Sequence, residues 1–360
     1  MSDRTPRASG YFRTGYAQEM ALTKTRLERV SLFTFIALLL VYPYVASAFY
    51  LDLANQVFLA CIGALSLMLL TGYAGQVSLG HAGLLAAGAF TAGILFKEFG
   101  APIFVTIPAA AVVGALLGVI FGLPSLRLRG LYLAVSTLAL HFVVVYLGGE
   151  YETKRGFSTG ITIDAPVIFG FRLYGGKIWY FILLAFAAAT LLICVNLLRS
   201  RTGRAWRAIH AHETVAEALG ISVAGYKLLA FVISSAMAAV AGALFAYYRS
   251  FVSVEAFSLF LSIQYVAMII IGGMGSLLGA LLGALFVTLF PYLIEAALLR
   301  LPDAQSYAGV LFAVNYAAFG VVMILFLVFE PQGLVGIWRR IQTYFLLWPF
   351  KHKPVAGARK

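Results

Sequence analysis

Charge is scarce in this chain. Of 360 residues, 11% are charged and 62% are hydrophobic, against about 25% charged in a soluble domain. That excludes an ordinary soluble globular protein. Cysteine is almost missing too. Cys61 and Cys194 both fall inside apolar runs, so there is no disulfide framework and no zinc-ligand spacing. Acidic residues are fewer than basic ones, which leaves a formal net charge of +12. A nucleic-acid partner is still excluded, because the basic residues flank apolar runs instead of gathering on one surface. No lysine or arginine lies deep in an apolar run, so a charge-coupled ion relay has little support.

Soluble-enzyme motifs are lacking as well. Gly170 to Lys177 approaches a phosphate-binding loop, but Gly176 stands where the lysine belongs. ATP and magnesium therefore have no site in this chain. Gly273, Gly275 and Gly279 are spaced one residue too wide for a dinucleotide fingerprint. His212-Glu213 lacks a histidine at 216, which is Ala216, and His210 and His212 do not share a helix face. No metal site and no catalytic constellation are expected.

What the chain has is length of apolar sequence. A crossing needs about 20 apolar residues, and such segments alternate with short polar gaps. The reading is an all-α polytopic membrane protein of about ten spans: 30–50, 53–71, 77–97, 102–123, 131–149, 178–198, 226–248, 257–273, 277–299 and 307–329. A barrel would instead show dyad alternation in strands of about ten residues. The lysines and arginines favour one side of these spans, which puts both termini in the cytoplasm. Residues 1–29 form a basic cytoplasmic tail, 30–330 the transmembrane domain, and 331–360 a second basic tail. Ala46-Ser47-Ala48 resembles a signal-peptidase site, but the long preceding segment favours an uncleaved anchor. The loop at 150–177 is either a docking surface or a flexible connector.

The stretch 199–225 is the sharpest polar interruption. Arg199, Arg201, Arg204 and Arg207 open it. Thr214 and Glu217 have the spacing of a capping box, and Gly220 can take the left-handed conformation that ends a helix. The spacing predicts a short rigid helix outside the membrane. Two glycine ladders, Gly114-Gly118-Gly122 and Gly275-Gly279-Gly283, predict close helix packing. Between Thr71 and Gly83, four glycines and His81 interrupt two apolar runs. Gly72, Gly75, Gln76, Ser78 and His81 are candidates for a broken helix lining a pathway, or for a tight turn. Among polar residues inside spans, Ser136 and Thr137 are expected to back-bond to their own helix. His141, Gln264 and Glu295 suit a pathway or an interface.

Several motifs in order carry a resemblance. Leu70-Thr-Gly-Tyr-Ala-Gly-Gln-Val-Ser-Leu-Gly-His-Ala-Gly83 and Leu126-Arg-Leu-Arg-Gly-Leu-Tyr-Leu-Ala-Val-Ser-Thr-Leu-Ala139 are two of them. Gly203-Arg-Ala-Trp-Arg-Ala-Ile209, Ala216-Glu-Ala-Leu-Gly-Ile221, Gly272-Gly-Met-Gly-Ser-Leu-Leu-Gly279 and Glu330-Pro-Gln-Gly-Leu334 follow. Over roughly 50–340 the chain resembles permease subunits of branched-chain amino acid ABC importers, of the LivM type. The resemblance implies a type II importer-like fold in the bacterial inner membrane. It also implies a LivH-type second permease, two ATPase subunits that bind ATP and magnesium, and a periplasmic substrate-binding protein. It places the ATPase contact on the 199–225 loop, with Glu217, Ala218 and Gly220 at the family's motif and Leu219 departing from the usual alanine. Thr214 belongs to the same contact as the cap of that helix, and Arg204 and Arg207 are candidates to pair with acidic groups on the ATPase or with anionic lipid. Substrates would be branched-chain or other hydrophobic amino acids; urea, amides or aromatic acids are the variant. An ion-coupled secondary transporter and an intramembrane enzyme are the other classes.

Overall fold

The computed structural model describes residues 26–128, 130–156, 160–168, 171–298, 311–330 and 332–347. The tail at 1–25, Arg129, Arg300, and everything beyond 347 lie outside the described residues. In order, the helices are α1 (Arg26–Val45), α2 (Ala48–Leu67), α3 (His81–Phe99), α4 (Ile103–Gly122), α5 (Leu131–Lys154) and α6 (Gly176–Arg199). Two short helices follow, α7 (Arg201–Ala211) and α8 (Glu213–Ala218). Then come α9 (Val223–Arg249), α10 (Leu259–Gly272), α11 (Leu277–Leu298), α12 (Leu311–Phe329) and α13 (Gly333–Leu347).

Among the described residues, seven helices are long and apolar enough to cross a membrane, or eight if the bent pair Tyr316–Phe329 and Gly333–Gln342 is one span. By that criterion the described residues give fewer than the expected ten. The apolar part of α1, Val30–Val45, and the whole of α10, Leu259–Gly272, are shorter apolar helices. At 1.5 Å per residue, fourteen residues cover about 21 Å, less than a hydrocarbon core of about 30 Å.

Helix α2 is the centre of the bundle, and every residue from Leu59 to Leu70 is buried. It widens into a π-helical turn, Met68–Tyr73. There the Ala74 amide donates to the Leu69 carbonyl at 3.1 Å and the Gln76 amide to the Leu70 carbonyl at 3.0 Å. Residues 74–80 are not helical, and α3 begins only at His81. The glycine-rich stretch thus separates two helices, later than the expected start at 77.

Small residues lock two groups of helices. Gly114, Gly118 and Gly122 all face α9. A Cβ on Gly114 would sit 2.6 Å from the Ser235 carbonyl oxygen, and one on Gly118 would sit 2.8 Å from the Val232 Cα. A Cβ on Gly88 of α3 would overlap the Ala239 carbonyl, and one on Gly242 of α9 would overlap the Leu85 carbonyl. Helices α3, α4 and α9 therefore touch backbone to backbone, as small residues permit. Helices α10 and α11 form the second group. A Cβ on Gly279 or on Gly283 would sit 3.0 Å from the backbone of Gly272. The expected ladder is corrected at Gly275. It precedes α11, has φ +75°, and lies in the turn facing Gly72.

At the end away from α7 and α8, β1 (Ile161–Thr162) pairs antiparallel with β4 (Phe251–Val252), and β2 (Val167–Ile168) pairs with β3 (Phe171–Arg172). Ile161 and Ile163 are buried, so this part of the 150–177 loop is pinned and is not a free connector. Arg155 pairs with Glu98 at 3.1 Å, and the Glu152 carboxylate accepts from the Val254 amide at 3.2 Å. Both cysteines are buried.

Candidate functional site

Two features stand at opposite ends of the bundle. The first is the α7–α8 pair. Helix α7 is amphipathic and buries Gly203, Ala205, Trp206 and Ile209. Its Trp206 indole N–H donates to the Tyr226 carbonyl at 2.8 Å. Both arginines expected at the ATPase contact bind backbone. Arg207 donates to the Leu198 carbonyl at 3.0 Å and the Gly203 carbonyl at 3.2 Å, and Arg204 donates to the Arg199 carbonyl at 3.1 Å. They cap the end of α6 and clasp α7 to it.

Helix α8 is short and rigid, but its start corrects the sequence reading. His212, in an extended conformation, occupies the N-cap with no side-chain cap hydrogen bond. Thr214 is the second helical residue and is exposed. The capping box with Glu217 does not form, because the helix begins two residues earlier than that box requires. Glu213 at that first position instead pairs with Lys227 at 2.7 Å. The C-terminus closes as the sequence suggests. Gly220 has φ +81°, its amide donates to the Glu217 carbonyl at 2.9 Å, and the Ile221 amide donates to the Ala216 carbonyl at 3.1 Å. These are the two bonds of a Schellman motif. Ala216 is buried, while Val215, Ala218 and Leu219 are exposed. Their i, i+3, i+4 spacing sets an apolar strip on one helix face. Sequence reasoning missed Val215 and met Leu219 only as a departure from the family pattern; the i, i+4 spacing was the signal for both.

The broken stretch meets this pair. Gly75 has φ +69°, and a Cβ there would sit 3.3 Å from the His210 ring. A cavity of about 210 Å³ lies between them, lined by Gly75, Gln76, Gly130, His210, Glu213 and Lys227 among others. Thr71 donates to the Gln76 carbonyl at 3.0 Å, and the Gly80 amide donates to the Ser78 hydroxyl at 3.4 Å. His81 is fully buried. Its Nε2 lies 3.0 Å from the Gly63 carbonyl and its ring meets Tyr265 edge-on at 4.9 Å. It holds α3 to α2.

The second feature is a cavity of about 280 Å³ in the other half of the bundle. Its walls come from α2 (Gln56, Leu59, Ala60), from the α3–α9 group (Leu85, Ala241, Phe245, Arg249), and from α10 and α11 (Gln264, Met268, Thr288, Tyr292 among others). Of the expected pathway residues, Gln264 lines this cavity. Gly75 and Gln76 line the smaller one, and Gly72, Ser78 and His81 line neither. At the mouth a hydrogen-bond chain ties three helices. Tyr292 donates to Gln56 at 3.3 Å, Gln56 donates to Asp52 at 2.6 Å, and Tyr248 donates to Asp52. The aliphatic walls accept an apolar group, and the amides and hydroxyls orient a polar one. Among the described residues, no group of three or more metal-ligating side chains is found.

Comparisons with known proteins give the family. A family model described as "Branched-chain amino acid transport system / permease component" matches residues 49–328. The high-affinity branched-chain amino acid transport system permease protein LivM of Salmonella typhimurium is 30% identical over 341 residues, covering 87% of this chain and 76% of the relative. The protein of the same name from Escherichia coli gives the same identity and coverage. A protein of Methanocaldococcus jannaschii named as a probable LivH permease is 28% identical over 71% of this chain and 82% of its own. No solved structure matches. With the match covering most of the bundle, the chain belongs to the permease family of branched-chain amino acid transport systems.

Proposed function

We propose that this chain is a transmembrane permease subunit of an ABC importer in the bacterial inner membrane, moving branched-chain or other hydrophobic amino acids inward. The observation that carries this reading is the exposed apolar strip of Val215, Ala218 and Leu219 on a helix closed at Gly220. A rigid projecting helix can pass on a displacement, where a floppy loop would absorb it. Residues 199–225 form the coupling segment in this reading, and Thr214 and Glu217 sit beside the apolar strip.

The α7–α8 end faces the cytoplasm. The arginine-rich segment at 199–207 and Arg339 and Arg340 of α13 support that orientation. The topology has ten crossings of the type II importer kind, α1 and α10 included, with both termini cytoplasmic. ATP and magnesium belong to two separate ATPase subunits, a LivH-type chain is the second permease, and a periplasmic protein delivers substrate. The work of this chain is to bind, enclose and release. Aliphatic cavity walls suit a branched side chain, and Gln56, Gln264 and Tyr292 suit its polar end. Relatives named for branched-chain amino acid transport support the substrate class.

Reconstitution tests this. The chain co-expressed with its partner genes should co-purify with a second permease and two ATPases. It should take up leucine into liposomes only with internal ATP. Competition with urea, amides and aromatic acids reads the substrate class. Uptake by the lone chain under an ion gradient would overturn the proposal.

A further inference from the structure

Lys227 and Glu213 are fourteen positions apart, on different helices, and no motif links them. Their side chains meet at 2.7 Å, and the Lys227 side chain is only 6% exposed. An ammonium this far from water is retained only if it is held by an opposite charge in good geometry. Glu213 is the first residue of α8, and Lys227 lies one turn into α9. The pair therefore joins the outermost helix to a span, close to where the Trp206 indole already binds the Tyr226 carbonyl.

What lies along α9 gives the pair its consequence. Helix α9 runs unbroken from Val223 to Arg249. The side chains of Ala241, Phe245 and Arg249, beginning about 21 Å up the helix from Lys227, form one wall of the larger cavity. Helix α9 is also the one that α3 and α4 touch backbone to backbone through Gly88, Gly242 and Gly114, so these three helices form one packed body. The facing wall belongs to α10 and α11, closed on each other at Gly272 and Gly283. The cavity thus lies between two glycine-locked bodies, with Gln56, Leu59 and Ala60 of α2 lining it beside them. Lys227 and Glu213 bind α8 to the first of them.

We propose that Lys227, through Glu213, is the positioning residue that makes α8 and the α3–α4–α9 body move as one. Force applied at Val215, Ala218 and Leu219 then reaches the cavity wall at Ala241 and Phe245. The proposal rests on the importer reading and adds to it the connection inside this chain.

The test uses the whole complex in liposomes and reads leucine moved per ATP hydrolysed. K227M and E213Q should each lower that ratio about tenfold while the complex still co-purifies, and the exchanged pair K227E/E213K should recover most of it. Amide hydrogen exchange over 213–219 in the purified complex gives a second reading. It should quicken in each single variant and slow again in the exchanged pair. Single variants with the wild-type ratio would overturn the proposal, as would an assembled exchanged pair that recovers neither readout. A wild-type complex that shows no ATP-dependent uptake would instead sink the importer reading, and the exchange pattern would still report whether the tether exists.

Discussion

Gly75 packs against His210, and a side-chain carbon on Gly75 would lie 3.3 Å from the imidazole. The interruption between α2 and α3 thereby rests on α7, although 135 residues separate the two in sequence. Gly75 also has φ +69°, a conformation that costs a residue with a Cβ about 1–2 kcal/mol. Replacing Gly75 by Leu adds bulk and strain at one point. Leucine uptake by the reconstituted complex should fall about tenfold or more, with the subunit still inserted. Gly72→Leu should act similarly, because its Cβ would meet Met68 and come within 3.0 Å of the Gly275 amide. Uptake at the wild-type rate in both variants would demote the stretch to a plain turn.

Ala218→Asp sets a charge in the middle of the exposed strip on α8. ATP-driven uptake should disappear and the ATPase subunits should be lost on purification, since a desolvated unpaired charge opposes any apolar contact. Membrane insertion should be unchanged, because Ala218 is exposed and lies outside the spans. Quantifying uptake and ATPase stoichiometry in the same preparation checks both parts.

The two ends of α8 should respond unequally. Thr214→Ala removes no cap and should leave thermal stability within about 0.5 kcal/mol. Gly220→Ala places a Cβ at φ +81° and should cost about 1 kcal/mol. Thermal unfolding of the detergent-solubilised subunit distinguishes them.

The larger cavity should respond to both size and polarity. Ala241→Phe fills space in a volume of about 280 Å³ and should stop uptake. Gln264→Leu removes one neutral hydrogen-bonding group, worth about 1 kcal/mol, and should raise the transport KM by roughly fivefold at similar maximal rate. Concentration-dependent uptake of leucine, valine and a smaller amino acid would show the pattern.

The bundle was legible because apolar length is a local property. Each expected span meets a helix, and the stripe does meet another backbone at Gly114 and Gly118, with Gly122 against the Leu228 and Phe231 side chains. Thr137 back-bonds to Ala134 at 2.8 Å as expected, yet it also receives the Leu79 amide at 3.0 Å. That second bond depends on how α5 lies beside the broken stretch, which no local pattern records. The capping box failed for the same reason. The spacing of Thr214 and Glu217 permits it, but a distant lysine at 227 engages Glu213 and the helix starts there. His81 shows the limit most clearly. A titratable side chain in a glycine-rich break suggested a pathway, while its burial against Gly63 and Tyr265 makes it a joint between helices.

Both native thiols are out of reach of solvent, Cys61 at 6% and Cys194 at 0% exposure. The wild-type protein is therefore already a silent background for maleimide chemistry. A single cysteine introduced at Leu219, where exposure is 75%, would be the one fast-reacting sulfur among the described residues. Its protection in the presence of ATPase subunits would time their docking directly, with no need for a cysteine-free parent.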